Sequence, residues 1–252
     1  MKVAFLYGTG MSSAINFMAA IGIILAQDYN CEVILSSNYI GNHMLPDCFS
    51  GKMKEKGKNQ EPYRFLYGST EYCRELWSMK HSRKDNILEI PVDGVTIVLP
   101  PDVGEKKMFY YNDSRSTCYL MDIIGENRIV FQSVIEEAEL FVVFLPQDVD
   151  KIQKFFHRFS SLIPKAIFVI EEVQHDKRLF YRQILLKYGI NNENITIIPK
   201  CNEFKDACED GKLDVFLQQN KATKSLQYNF VFSIKYIAKL IDEHKLQTEK
   251  GE

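Results

Sequence analysis

The chain has 252 residues, a length that suits one large α/β domain better than two small ones. Apolar residues make up 46% and charged residues 25%, which excludes a disordered chain. A formal net charge of −2 removes any bulk electrostatic case for nucleic-acid binding, although a local basic patch is compatible with it.

Lys2–Tyr7 reads as a fully buried strand, and it follows Met1 too closely to be a signal-peptide core. Ser12–Asp28 is a helix rich in Ala, Ile, Met and Leu, and Cys31–Ser36 a second buried strand. The longest apolar run, Phe17 to Ala26, falls short of the roughly 18 residues that span a bilayer. The rhythm breaks between about 41 and 116. That stretch holds a basic loop at 51–58, alternating Tyr63, Phe65 and Tyr67, a short helix at 71–79 and one strand at Val95–Leu99. Alternation then resumes. Cys118–Asp122 is a strand, Asn127–Glu137 a helix and Leu140–Leu145 a strand. The helix Asp148–Ser160 carries Val149, Ile152, Phe155, Phe156 and Phe159 on one side, as core packing requires. Lys165–Ile170 and Ile195–Ile198 are strands around a helix at Lys177–Tyr188. Tyr228–His244 is a closing amphipathic helix, and a tail begins at Thr248. Near-continuous apolar strands separated by helices predict an α/β fold: a mostly parallel, twisted sheet with helices on both faces.

Six cysteines (31, 48, 73, 118, 201, 208) form no C-x-x-C pair and read as reduced core thiols. The expected location is cytoplasmic. His157 and His175 have no second ligand at metal spacing, and Glu171 and Glu172 read as solvated loop carboxylates.

The first strand runs into Gly8-Thr9-Gly10-Met11-Ser12-Ser13 and then a helix. Such a turn gathers backbone N–H groups and a helix N-terminus around one point, which suits a phosphate, and a serine hydroxyl there can reach a magnesium ion. The turn lacks the lysine of a Walker loop.

Several segments, in order, resemble the ParA/MinD family of deviant-Walker P-loop ATPases. Gly8–Ala20 is similar to that family's Gly-x-Gly-Lys-Thr-Thr loop and Asn-Leu-Ala helix, and Cys31–Asn42 to its second strand and the loop beyond. Tyr119-Leu120-Met121-Asp122 resembles the Walker B strand, and Glu137–Asp148 the strand and Pro-x-x segment after it. Ile197–Lys212 resembles the Ile-Pro strand end and Ala-x-x-x-Gly segment. The resemblance implies a P-loop NTPase-like fold of ParA/MinD type. It implies ATP or ADP with Mg held by Gly8, Thr9, Gly10, Met11, Ser12, Ser13, Pro199 and Lys200, with Ser12 and Asp122 at the metal.

The departures are coordinated. Leu6-Tyr7 stands where the signature lysine is sought, Met11 replaces the lysine that meets the β/γ-phosphates, and Ser36-Ser37 replace the acidic end of the second strand. Electrostatic stabilisation dominates phosphoryl transfer, and removal of one such group costs about 100-fold or more. Fast ATP hydrolysis is therefore not expected, and no catalytic residue is assigned. The resemblance implies a degenerate member acting as a localisation or scaffold factor. It is similar to TadZ/CpaE-type proteins of a Tad-like pilus or secretion apparatus, which commonly begin with a receiver-like domain; this chain starts at the ATPase-like domain. The implied partners are a second copy in a homodimer and a secretion or pilus ATPase or an envelope complex that recruits the protein to the membrane or a cell pole. Nucleic-acid and direct membrane contact are not indicated, since 245–252 is too short and polar for a membrane-binding helix. The alternatives are a working ATPase of partition or division-site placement and an enzyme reusing the loop for a phosphorylated ligand.

Overall fold

The computed structural model describes residues 1–7, 14–37, 83–84, 87–92, 95–99, 117–123, 135–171, 177–221 and 226–250. The loop at 8–13, the basic stretch at 51–58, the alternating aromatics at 63–67, the helix expected at 71–79, most of that at 127–137, His175 and Glu172 lie outside them.

The strands are β1 (Lys2–Tyr7), β2 (Glu32–Ser37), β3 (Arg83–Lys84), β4 (Ile87–Val92), β5 (Val95–Leu99), β6 (Thr117–Ile123), β7 (Leu140–Leu145), β8 (Ala166–Ile170) and β9 (Ile195–Ile197). They form one sheet in the order β3-β4-β5-β2-β6-β1-β7-β8-β9. From β5 to β9 every neighbouring pair is parallel. At the far edge, β4 runs antiparallel to β5 and β3 antiparallel to β4. The predicted α/β fold with a mostly parallel sheet is what the chain adopts, with the hairpin of β3 and β4 added from the stretch expected to be irregular.

The helices are α1 (Ala14–Asp28), α2 (Val149–Phe159), α3 (Arg178–Leu186), α4 (Asn202–Glu209), α5 (Leu213–Gln219) and α6 (Leu226–Lys250). They divide the core in two. One face of the sheet packs Val3, Phe5, Val33, Leu35 and Phe144 against α1, α4, α5 and α6. The other packs Ala4, Leu6, Tyr119, Phe141 and Phe168 against α2 and α3. Adjacent residues of β1 enter opposite clusters because side chains alternate along a strand; a strand covered on both faces must be apolar throughout.

The apolar run of α1 has the same cause. This helix touches β2 and β6 on one side and α5 and α6 on the other, so from Phe17 to Leu25 each residue is buried. Gly22 permits the close approach, since a Cβ there would lie 2.8 Å from Leu35 Cδ2. The outer helix α6 buries Phe230, Val231, Ile234, Ile237, Ala238 and Ile241, a stripe of helical period. It runs through Lys250, into the stretch expected to be a tail.

Helices α2 and α6 follow their predicted spans closely. Asp148 caps α2 by accepting from Lys151 N at 3.1 Å. Phe156 is buried and stacks on Tyr188 at 4.2 Å, while Phe155 and Phe159 pack at its margin, as the core reading of that face required. Among the described residues no helix is long and apolar enough to cross a membrane.

Candidate nucleotide site

The direction in which the chain winds reverses at β1. The connection through α1 leads from β1 to β2 on one face, whereas those through α2 and α3 lead from β7 to β8 and β9 on the other. Right-handed crossovers in opposite directions place their helices on opposite faces and open a crevice at the carboxyl ends of the strands between them. Residues 8–13 span that point, from the end of β1 to the start of α1.

Both ends of the segment are anchored on one ring. Tyr7 stacks on Phe144 at 4.9 Å with planes 26° apart, as its register partner on β7. Phe17, in the first turn of α1, meets the same Phe144 at 5.3 Å. Phe17 also meets Phe204 at 5.1 Å and Phe230 at 5.9 Å, which ties α1 to α4 and α6. This aromatic hub was not singled out in the sequence, because its members are scattered over five elements.

The register sets the acidic residue. Asp122 pairs with Phe5 on β1 and with Ser37 on β2. Ser37, Asp122 and the end of β1 therefore lie along one edge, on three adjacent parallel strands. Pro199 and Lys200 follow β9, three strands away from β1. Pro199 is buried and Lys200 exposed. The chain returns from there through Cys201 to α4, whose Phe204 reaches α1, so this segment approaches the 8–13 turn from the side opposite Asp122. Burial pushes the Cys201 thiol up to about 11, which leaves it an unreactive neighbour.

The ends of β7 and β8 are braced. Gln147 Nε2 donates to Glu171 O at 2.9 Å, and Tyr181 Oη donates to Gln147 O at 3.0 Å. Glu171 itself is 3% exposed, which corrects its reading as a solvated loop carboxylate: the brace draws the strand end beneath α3. Burial, reinforced by the charge of Asp148, pushes the Tyr181 phenol up, so it stays protonated and able to donate.

What is described fits a phosphate held by backbone groups. The first turn of α1 has no acidic residue to compete with an anion for its N-terminal field. The carboxyl edge offers Asp122 to a cation and Lys200 to an anion, and no further lysine stands in β1 or the first turn of α1 beyond Lys2 at the opposite strand end. The residues thus suit binding better than phosphoryl transfer.

No family model matches the chain, and none of the curated proteins does. Solved structures do. MinD from the MinC:MinD cell division complex of Aquifex aeolicus superposes with a TM-score of 0.62 at 14% identity, covering 96% of this chain and 95% of that one. MinD of Pyrococcus horikoshii with Mg-ADP gives 0.62 at 10% identity over 96% and 95%. A putative plasmid partition protein of Borrelia burgdorferi bound to AMPPNP gives 0.59 at 9% identity over 96% and 98%. At such identities the likeness establishes the fold: the chain has the ParA/MinD-type, P-loop NTPase-like architecture from end to end.

Proposed function

We propose that this protein is a degenerate ParA/MinD-like localisation or scaffold factor. It binds a nucleotide through the 8–13 turn, hydrolyses it slowly or not at all, and docks a partner protein. The observation that carries the reading is the pairing of a preserved frame with a lost charge set. Tyr7 and Phe17 fix the turn on Phe144, Asp122 stands beside β1, and Met11, Ser36 and Ser37 occupy positions where the family resemblance calls for charge.

In this reading Gly8–Ser13 hold the phosphates through backbone N–H groups, with Pro199 and Lys200 contributing from the far side. Ser12 and Asp122 hold Mg, which neutralises phosphate charge when bound. No residue is assigned to catalysis. The structural relatives were solved with Mg-ADP, with AMPPNP and as a MinC:MinD complex, and by analogy a homodimer across the loop face and a protein partner follow. A Tad-like pilus or secretion apparatus is the proposed setting, with the protein in the cytoplasm and recruited to the envelope by that partner.

The second reading is an active ATPase of partition or division-site type, favoured by the same solved relatives. Calorimetric titration with Mg-ATP and Mg-ADP, followed by a phosphate-release assay, separates the two. The scaffold reading expects binding without appreciable turnover. Turnover equal to that of a lysine-bearing relative, abolished by Asp122→Ala, supports the ATPase instead; no nucleotide binding at all defeats both.

A further inference from the structure

The opposite edge of the sheet, where the parallel strands begin, carries a cluster that the nucleotide site does not use. After α1 the chain reverses through Asn30, whose φ of 53° is left-handed, and Cys31 follows at the threshold of β2. Cys31 Sγ lies 3.6 Å from Lys245 Nζ and 3.7 Å from Asp242 Oδ1, both on α6, and 3.8 Å from Tyr29 O. On its other side is Cys118 of β6, hydrogen-bonded to it. Val33 pairs with Cys118 in register, and Cys31 stands two residues before Val33, so both thiols project from the same face of the sheet. Both are in the reduced form.

The groups around Cys31 fix its chemistry. Hydrogen bonding from Cys118 leads in favouring the thiolate, burial opposes it, Lys245 favours it and Asp242 opposes it, with a resulting pKa of about 7. Cys118 is driven the other way, upward, by its bond to Cys31, by burial and by the Cys31 charge; Lys245 and the Met1 ammonium oppose this weakly. From the α1–β2 turn Tyr29 adds a phenol that burial and the carboxylates of Asp242, Asp28 and Glu243 keep protonated. One thiol of the pair is thus charged and the other is a proton donor, the arrangement in which an attacking and a resolving cysteine differ. Exposure gives the same order, since Cys31 keeps 6% of its surface and Cys118 0%.

We propose that Cys31 and Cys118 are a redox-sensitive dithiol, in which a peroxide first oxidises Cys31 and Cys118 then closes an intramolecular disulfide between the start of β2 and β6. In the first step the Cys31 thiolate attacks a peroxide oxygen, the O–O bond breaks, and the departing hydroxide takes a proton to leave as water. Sulfur is oxidised by two electrons and the peroxide is reduced. In the second, Cys118 gives up its proton, its sulfur attacks Cys31, the S–S bond forms, the S–O bond breaks, and a second water leaves. Closure removes the thiolate that Lys245 faces and so loosens the C-terminal part of α6 from the sheet. This site is independent of the nucleotide reading.

The test is hydrogen peroxide titration of the full chain at neutral pH, followed by intact mass and non-reducing peptide mapping. The expected product has lost two hydrogens and links the Cys31 peptide to the Cys118 peptide, and dithiothreitol reverses it. Cys118→Ser stops at a Cys31 sulfenic acid that dimedone traps. Lys245→Gln slows oxidation about three- to fivefold by lowering the thiolate fraction, whereas Lys245→Arg retains the rate. Dimedone capture at Cys31 in the unaltered chain with no link to Cys118, or a disulfide made instead by Cys48, Cys73, Cys201 or Cys208, overturns the proposal. Equal rates in all Lys245 variants overturn the role of the lysine.

Discussion

Substitution of Phe144 by leucine tests whether the aromatic hub anchors the 8–13 turn. Phe144 is 2% exposed and holds Tyr7 at 4.9 Å and Phe17 at 5.3 Å. Each ring pair contributes about 0.5–1.5 kcal/mol beyond its buried area. Leucine keeps the apolar character and most of the volume, with a packing cost of order 1 kcal/mol. The expected loss is therefore about 2–4 kcal/mol in urea-induced unfolding. Phe168→Leu is the matched control: Phe168 is fully buried on β8 in the opposite cluster and meets Phe156 at 5.3 Å. Both variants lose stability, but only Phe144→Leu frees the two ends of the turn. At a temperature where both remain folded, Mg-ADP affinity measured by calorimetry drops several-fold for Phe144→Leu and stays at the unaltered value for Phe168→Leu. Equal affinity losses in the two would refute the anchoring argument, and an undiminished stability of Phe144→Leu would remove the hub itself.

Two further outcomes follow from the charges. Asp28, at the end of α1, accepts from Lys221 at 2.8 Å and from Lys235 at 2.9 Å, joining α1 to the end of α5 and to α6. Burial alone would raise its pKa, but the hydrogen bonds and charges of the two lysines outweigh this and hold the carboxyl below 3.8. A depressed carboxylate pKa contributes stability that is present above the unfolded value and lost as pH falls through the lower folded one. Asp28→Asn should therefore cost about 1–2 kcal/mol at neutral pH, less in high salt. The gap should close in acid; a thermal-unfolding difference that persists below pH ~3 would contradict the pairing. At the turn, Met11→Lys should tighten Mg-ATP binding by about tenfold through charge-assisted contact with phosphate. An unaltered Kd in that variant would argue that the turn does not cradle a nucleotide.

The fold was legible where the physics is local and repetitive. Lys2–Tyr7, Leu140–Leu145 and Val95–Leu99 coincide with β1, β7 and β5, since a strand buried on both faces has little choice but an unbroken apolar run. The hairpin of β3 and β4 escaped, although Asp93-Gly94 joins Val92 to Val95 in the manner of a two-residue hairpin turn; Pro91 and the polar flanks hid the apolar run beside it. The helices α4 and α5 escaped because each is short, with Gly211 at a φ of 66° breaking the pattern between them. Of the site, the motif order carried Asp122 to its place beside β1, because a strand-end residue is located once the strand order is known. The hub of Tyr7, Phe17, Phe144, Phe204 and Phe230 could not be read the same way. Contacts between residues far apart in sequence exist only after the sheet has brought β7 beside β1, and no spacing rule encodes them. Glu171 makes the same point in reverse: a carboxylate in a polar sequence context reads as solvated, and it is the Gln147–Tyr181 brace, closed by two distant strands, that buries it. The sequence thus records the loss of charge at the turn directly, whereas the frame that still holds the turn in place is a property of the tertiary packing alone.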